Sequence, residues 1–149
     1  MIRKAKVPDV KKIQKLINYH AKRDKMLPRS LNELYENIRD FFVYAEGENV
    51  YGCCALHIDW EDLSEIKSLA VAPSRLKKGI GKKLLDECMK EARTLKLKKV
   101  FALTYVPGFF EQFGFKTVDK ASLPHKIWSE CIKCIYFPNC KEIAVMKEL

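Results

Sequence analysis

Leu69-Ala70-Val71-Ala72-Pro73-Ser74-Arg75-Leu76-Lys77-Lys78-Gly79-Ile80-Gly81-Lys82-Lys83-Leu84-Leu85 is the stretch whose reading decides the fold of this 149-residue chain. An apolar run stops at Pro73, a basic loop follows, and Gly79 and Gly81 open a long amphipathic pattern. The order reads as strand, loop, helix. Peptide N–H groups at a helix start have no acceptor within the helix and attract an anion, an effect the helix dipole reinforces. Between Arg75 and Lys99, ten basic residues stand against three acidic ones, so a phosphate-bearing ligand is expected here. Two nucleotide motifs are excluded. A dinucleotide fingerprint needs a third glycine where Leu84 stands, and a P-loop needs Ser or Thr where Lys83 follows Gly81-Lys82.

Working outward, Ile2 to Lys6 alternates and reads as a strand, and Pro8-Asp9 opens a helix with Pro in its first turn. Val10, Ile13, Leu16, Ile17 and His20 draw one stripe along that helix. Ala21 to Arg29 is a polar loop, and Ser30 with Glu33 predicts a capping box for a helix over Leu31 to Arg39. Phe41 to Glu46 and Val50 to Trp60 form a hairpin about Glu46-Gly47-Glu48-Asn49. Leu63 to Ala72 is the next strand, and strict alternation puts Ile66, Ser68 and Ala70 on one face and Lys67, Leu69 and Val71 on the other. The helix that begins at the glycines runs to about Lys96, with Ile80, Leu84, Leu85, Cys88, Met89, Ala92 and Leu95 as its apolar stripe. Lys99 to Tyr105 is a strand, Pro107 to Phe113 a short helix, and Phe115 to Asp119 and Glu142 to Lys147 are strands. Hairpins beside one crossover unit predict an α+β fold with a mixed, mostly antiparallel sheet of about six to seven strands flanked by helices.

The length predicts a single domain over residues 1–149, long enough for a real core. With 48% hydrophobic and 32% charged residues, wholesale disorder is excluded. No apolar run reaches the roughly 18 residues of a membrane span, and no secretory signal follows the basic N-terminus, so a cytoplasmic protein is expected. Six cysteines would suffice for three bridges, but Cys53 and Cys54 are adjacent in an apolar run and Cys88 lies in a helical pattern. These are read as free core thiols in a reducing compartment.

The phosphate cradle in this context resembles the GNAT superfamily of N-acetyltransferases, over essentially the whole chain. That superfamily carries Q/R-x-x-G-x-G/A after a strand reading L-A-V-x-P, as Leu69-Ala70-Val71-Ala72-Pro73 does here. The resemblance implies the GNAT three-layer fold and acetyl-CoA as cosubstrate. It also implies that the amides of Lys77, Lys78, Gly79, Ile80, Gly81 and Lys82 hold the pyrophosphate while the backbone of Leu69, Ala70 and Val71 pairs with the pantetheine arm. The customary Gln or Arg is replaced by Leu76, so Arg75, Lys77 or Lys78 would supply its charge.

Acetyl transfer to an amine needs a route for the amine's proton. A Glu at the position of Glu65 acts as base in several GNAT enzymes, directly or through water; the alternative is a strand carboxylate paired with Lys67. The tyrosine that many members use to protonate the leaving thiolate is Phe110 here. Thr104 and Tyr105 are the candidate substitutes, and coenzyme A can also leave as a thiolate, since thiol pKa values lie near about 8.5.

A narrower similarity joins Leu27-Pro28-Arg29-Ser30, Gly52-Cys53-Cys54-Ala55-Leu56-His57, Glu65 with Leu69-Ala70-Val71, Phe101-Ala102-Leu103-Thr104, Gly114-Phe115 and Leu123-Pro124. Together these look like the acetyltransferase domain of bacterial N-acetylglutamate synthases. The similarity implies transfer of acetyl to the α-amine of L-glutamate, the first step of arginine biosynthesis. Arg29 would then bind a substrate carboxylate, with Lys67 as a second candidate; a guanidinium can grip a carboxylate bidentately. Other small amines and protein N-termini remain alternative acceptors, and a homodimer remains open.

His125, Cys131, Cys134 and Cys140 hold enough ligands for a tetrahedral zinc ion, but a redox pair or small buried thiols fit equally, and no metal site is assigned. A nucleic-acid-binding module is the rival from another class. It is prompted by the net charge of +9 and by Phe109, Phe110, Phe113 and Phe115. Core packing is the commoner fate of phenylalanines spaced this way, so no nucleic-acid partner is expected.

Overall fold

A computed structural model describes residues 1–123 and 142–149. His125, Cys131, Cys134 and Cys140 lie outside the described residues. Among the described residues, seven strands form one sheet: β1 (Ile2–Lys4), β2 (Phe41–Glu46), β3 (Asn49–Trp60), β4 (Leu63–Val71), β5 (Lys99–Thr104), β6 (Lys116–Val118) and β7 (Ile143–Glu148). Their order across the sheet is β1-β2-β3-β4-β5-β7-β6. Of the pairs among these seven strands, only β4 with β5 is parallel. Parallel neighbours need a crossover, and here it is the helix predicted from the glycine pair, α3.

Helices α1 (Val10–Ala21) and α2 (Leu31–Glu36) cover one face of the sheet; α3 (Ile80–Thr94) and the short α4 (Pro107–Glu111) cover the other. The predicted stripe of α1 buries Val10, Ile13, Leu16 and Ile17 against Phe41, Val43, Cys53 and Ala55. On the opposite face Leu84, Leu85, Cys88 and Ala92 of α3 pack on Cys54, Leu56, Ile66, Val100 and Ala102. Cys53, Cys54 and Cys88 are buried free thiols. Phe110 and Phe115 are also core residues, joined edge-to-face to each other and, through Phe110, to Phe109. The aromatic cluster is thus used in packing. No helix among the described residues is long and apolar enough to cross a membrane.

Three local expectations need correction. The α2 helix stops at Glu36 and is followed by a 3-10 turn over Ile38–Asp40, three residues short of the expected α-helix. Only half of its capping box forms: Glu33 N–H donates to Ser30 Oγ at 3.1 Å, while the Glu33 carboxylate is 3.4 Å from Arg29 Nε. The α3 helix ends at Thr94 because Lys96 takes a left-handed φ of +63°. Leu97 N–H then bonds to Ala92 O and Lys96 N–H to Arg93 O, each at 3.0 Å. This is a Schellman ending, which leaves Leu95 exposed and puts Leu97 in the core instead.

Candidate functional site

The site begins where two strands part. β4 pairs with β5 only from Leu63–Lys99 to Ile66–Ala102, although β4 runs on to Val71 and β5 to Thr104. Past that point β4 still pairs with β3 as far as Val71 opposite Gly52, and β5 with β7 as far as Thr104 opposite Ile143. The inner edge of each strand is therefore free of the other, leaving backbone N–H and C=O groups for an extended ligand.

A β-bulge accompanies the parting. The β3–β4 register slips between Cys53 and Ala55, which face Ala70 and Lys67. Ser68 has φ +54°, a left-handed conformation that non-glycine residues seldom adopt. The extra residue overturns the strict alternation expected for this strand. Ala70 packs with the α1 cluster, whereas Leu69 and Val71 join Ile66 against α3. One inserted residue inverts every later side chain on a period-2 strand.

Downstream of β4, Pro73–Arg75 forms a 3-10 turn, and Lys77 (φ +62°) and Gly79 (φ +77°) are both left-handed. Among the described residues, no amide from Leu76 to Lys82 donates to a backbone carbonyl; the first such bond is Lys83 N–H to Gly79 O, 3.1 Å. Turns of this kind with unspent amides at a helix N-terminus make an anion-binding concavity. Lys77, Lys78, Lys82 and Lys83 are exposed around it. A diphosphate fits this donor set. Arg75 is spoken for, with Nη2 2.8 Å from Glu46 Oε1 and its guanidinium over the Tyr51 ring, so of the three cations expected to replace the missing Gln or Arg, Lys77 and Lys78 remain. Leu76 is itself exposed. A Cβ on Gly81 would lie 3.5 Å from Phe109 Cζ and 3.9 Å from Val71 Cγ2, so a larger side chain would crowd the cleft wall.

The other half of the site is built from side chains on the α1–α2 face. Glu65 is only 5% exposed, with Lys67 Nζ 4.0 Å from its Oε1. Arg29, in the loop before α2, has a side chain 11% exposed. Its Nη1 donates to Ser68 Oγ at 3.0 Å, its guanidinium lies over the Phe41 ring, and Gln14 donates to its carbonyl. A cation just before a helix N-terminus is disfavoured by the dipole, yet here it is enclosed and aimed at the bulge. The bulge thus brings Arg29, thirty-nine residues away in sequence, onto Ser68 of the strand segment that also carries Glu65 and Lys67. Thr104 is buried and its Oγ1 accepts the Val106 amide at 2.9 Å; Tyr105 follows directly, half buried.

Three participants escaped the sequence reading. His57 pairs across the strands with Glu65, and its Nδ1 is 2.7 Å from Asp40 Oδ2. That hydrogen bond to Asp40 raises the imidazole pKa above its ordinary value. His20, assigned to an apolar stripe, instead donates from Nε2 to Val71 O at 2.7 Å, which fixes the proton on that nitrogen. Gly52 allows α3 to lie close to β3: a Cβ there would stand 2.9 Å from Leu84 Cδ1 and 3.1 Å from Ile80 Cγ2. The sequence held a signal only for Gly52, a lone glycine inside a strand, which often marks close approach.

Comparison with known proteins agrees with this geometry. Residues 7–115 match the model of the acetyltransferase (GNAT) family. The chain is 37% identical over 148 residues to an uncharacterized N-acetyltransferase of Chlorobaculum tepidum, covering 99% of this chain and 96% of that protein. It is 35% identical over 134 residues to the amino-acid acetyltransferase of Mycobacterium tuberculosis, covering 87% and 76% respectively. Its fold superposes with a TM-score of 0.91 and 28% identity on N-acetylglutamate synthase from Neisseria gonorrhoeae complexed with coenzyme A and N-acetyl-glutamate, over all of this chain and 35% of that one. A parted strand pair, an amide cradle and relatives of this kind lead to one assignment: the chain belongs to the GNAT family and is an acetyl-CoA-dependent N-acetyltransferase.

Proposed function

We propose that the enzyme acetylates the α-amine of L-glutamate, the first step of arginine biosynthesis, within a single domain. The observation that carries this reading is Arg29: a guanidinium enclosed beside Phe41, held by Ser68 Oγ on the face where Glu65 and Lys67 also stand. Its similarity to an amino-acid acetyltransferase and to a synthase complexed with N-acetyl-glutamate supports the same acceptor.

The cosubstrate supplies an acetyl thioester whose thiolate is a good leaving group, the thiol pKa being about 8.5. The amides of Lys77 to Lys82 hold its diphosphate, and the open edge of Leu69 to Val71, apart from the Val71 carbonyl that His20 occupies, pairs with its extended arm. Arg29 takes one carboxylate of the acceptor through charge-assisted hydrogen bonds, and Lys67 assists. Glu65 accepts the ammonium proton, directly or through water, leaving a nucleophilic amine. Thr104 and Tyr105, at the end of β5 beyond the parting point, are the hydroxyls proposed to return a proton to the departing sulfur.

The test is thiol release from acetyl-CoA with glutamate, other amino acids, polyamines and peptide N-termini as acceptors. Glutamate should be preferred. Arg29→Ala should raise the glutamate KM by about 10- to 100-fold, the loss of one charge-assisted carboxylate contact, while the acetyl-CoA KM stays within about twofold. Turnover of another amine with no response to Arg29→Ala would refute the glutamate assignment.

A further inference from the structure

Ser68 is held in a conformation that is unfavourable for a residue with a Cβ, so something must hold it there. Two bonds reach it. Arg29 Nη1 donates to its side-chain oxygen at 3.0 Å, and Cys53 Sγ donates to its carbonyl at 3.2 Å. Cys53 lies on the neighbouring strand at the register slip itself, with no exposure to solvent. A carbonyl displaced from the β ladder by a bulge needs another donor when water cannot reach it. Burial pushes the Cys53 thiol pKa up to about 12, so the sulfur keeps its proton and acts as a donor at physiological pH. The same burial argues against a nucleophilic role.

We propose that Cys53 is a positioning residue for the acceptor pocket: its thiol, bonded to the Ser68 carbonyl, holds the β4 bulge in the conformation that presents Ser68 Oγ to Arg29. This rests on the reading of Arg29 as the seat of the acceptor carboxylate. Cys53 touches neither substrate; it acts through Ser68. The link is short and runs inside the core cluster of the α1 face that also holds Phe41, Val43 and Ala70, and the Ala70 backbone is a second hydrogen-bond partner of the thiol on the same strand.

The experiment compares Cys53→Val, which keeps apolar bulk and removes the donor, with Cys53→Ser, which restores a donor. Cys53→Val should raise the glutamate KM about 5- to 20-fold with kcat and the acetyl-CoA KM changed less than about threefold, and Cys53→Ser should recover most of the loss. Loss of packing alone would not be relieved by the smaller, more polar serine. Equal KM values in wild type and Cys53→Val, or a loss that Cys53→Ser does not repair, would overturn the proposal. A second readout is independent of the acceptor: a crystal structure of Cys53→Val should show Ser68 out of the left-handed region or its bond to Arg29 broken. Ser68 unchanged with that bond near 3.0 Å would overturn the proposal even if glutamate proved not to be the substrate. Should Cys53→Val not fold, Cys53→Ala gives the same comparison with a smaller side chain.

Discussion

The two halves of the cleft are built from different materials. On the proposed cofactor side, Leu76 to Lys82 offer peptide N–H groups, the lysines around them are exposed, and the residue at the family's usual Gln/Arg position is an exposed leucine. On the proposed acceptor side, Glu65, Lys67, Ser68 and Arg29 are side chains, mostly enclosed, with Glu65 paired to Lys67 and Arg29 to Ser68. Backbone donors are indifferent to side-chain identity as long as the turn keeps its shape. Side-chain sites are not, because each group is specified individually and loses its partner when changed. On the proposed site, the contrast accounts for an exposed Leu76 beside the amide cradle, and it predicts that single substitutions act sharply on one side and softly on the other.

The largest effect should come from the acceptor side. Glu65→Gln removes the proposed base, and kcat should fall by about 100-fold or more, with acetyl-CoA affinity by isothermal titration nearly unchanged. An equal loss of cofactor affinity would erase the division between the halves. Arg29→Ala, described above, follows in size and separates acceptor KM from cofactor KM.

Gly52→Val tests the scaffold that both halves share. With Leu84 and Ile80 already within 2.9 and 3.1 Å of an added Cβ, overpacking should cost about 1–3 kcal/mol, read as a Tm lower by several degrees. On the cofactor side, Gly81→Trp should crowd Phe109 and Val71 and raise the coenzyme A Kd about tenfold, equivalent to about 1.4 kcal/mol, while the fold melts near its normal temperature. Replacing Leu76 by Arg should change that Kd far less.

The smallest effect concerns His57. Because its hydrogen bond to Asp40 raises the folded pKa, the pair adds stability that is fully present below the unfolded imidazole's value of 6.5. That stability is lost as pH rises through the higher folded value. His57→Gln should thus melt below wild type in acid and converge with it at high pH, by less than about 1 kcal/mol for so solvent-screened a pair. A deficit that grew with pH would reverse the sign and disprove the ion pair.

Much of this molecule was legible in one dimension. The strand–loop–helix at Leu69 to Leu85, the apolar stripe of α1 and the element order all follow from spacing that backbone geometry imposes on neighbours. Misread features were those in which a distant partner overrode the local pattern. His20 sits on the apolar stripe of α1 but bonds to Val71, fifty-one residues away, and Glu33 leaves its capping box for Arg29. Leu95 continues the α3 stripe yet ends exposed, since a left-handed Lys96 closes the helix first.

Local chemistry within the chain settled which segments become helix and strand, where helix-start amides are left unspent, and which residue types are on hand for the proposed proton transfer and carboxylate binding. Those matters depend on contacts a few residues long. Assembly of the acceptor side was decided only in three dimensions. One residue inserted at Ser68 turns the rest of β4 over and brings Arg29 and Cys53 onto Ser68, and a bulge is visible only once the opposing strand sets the register.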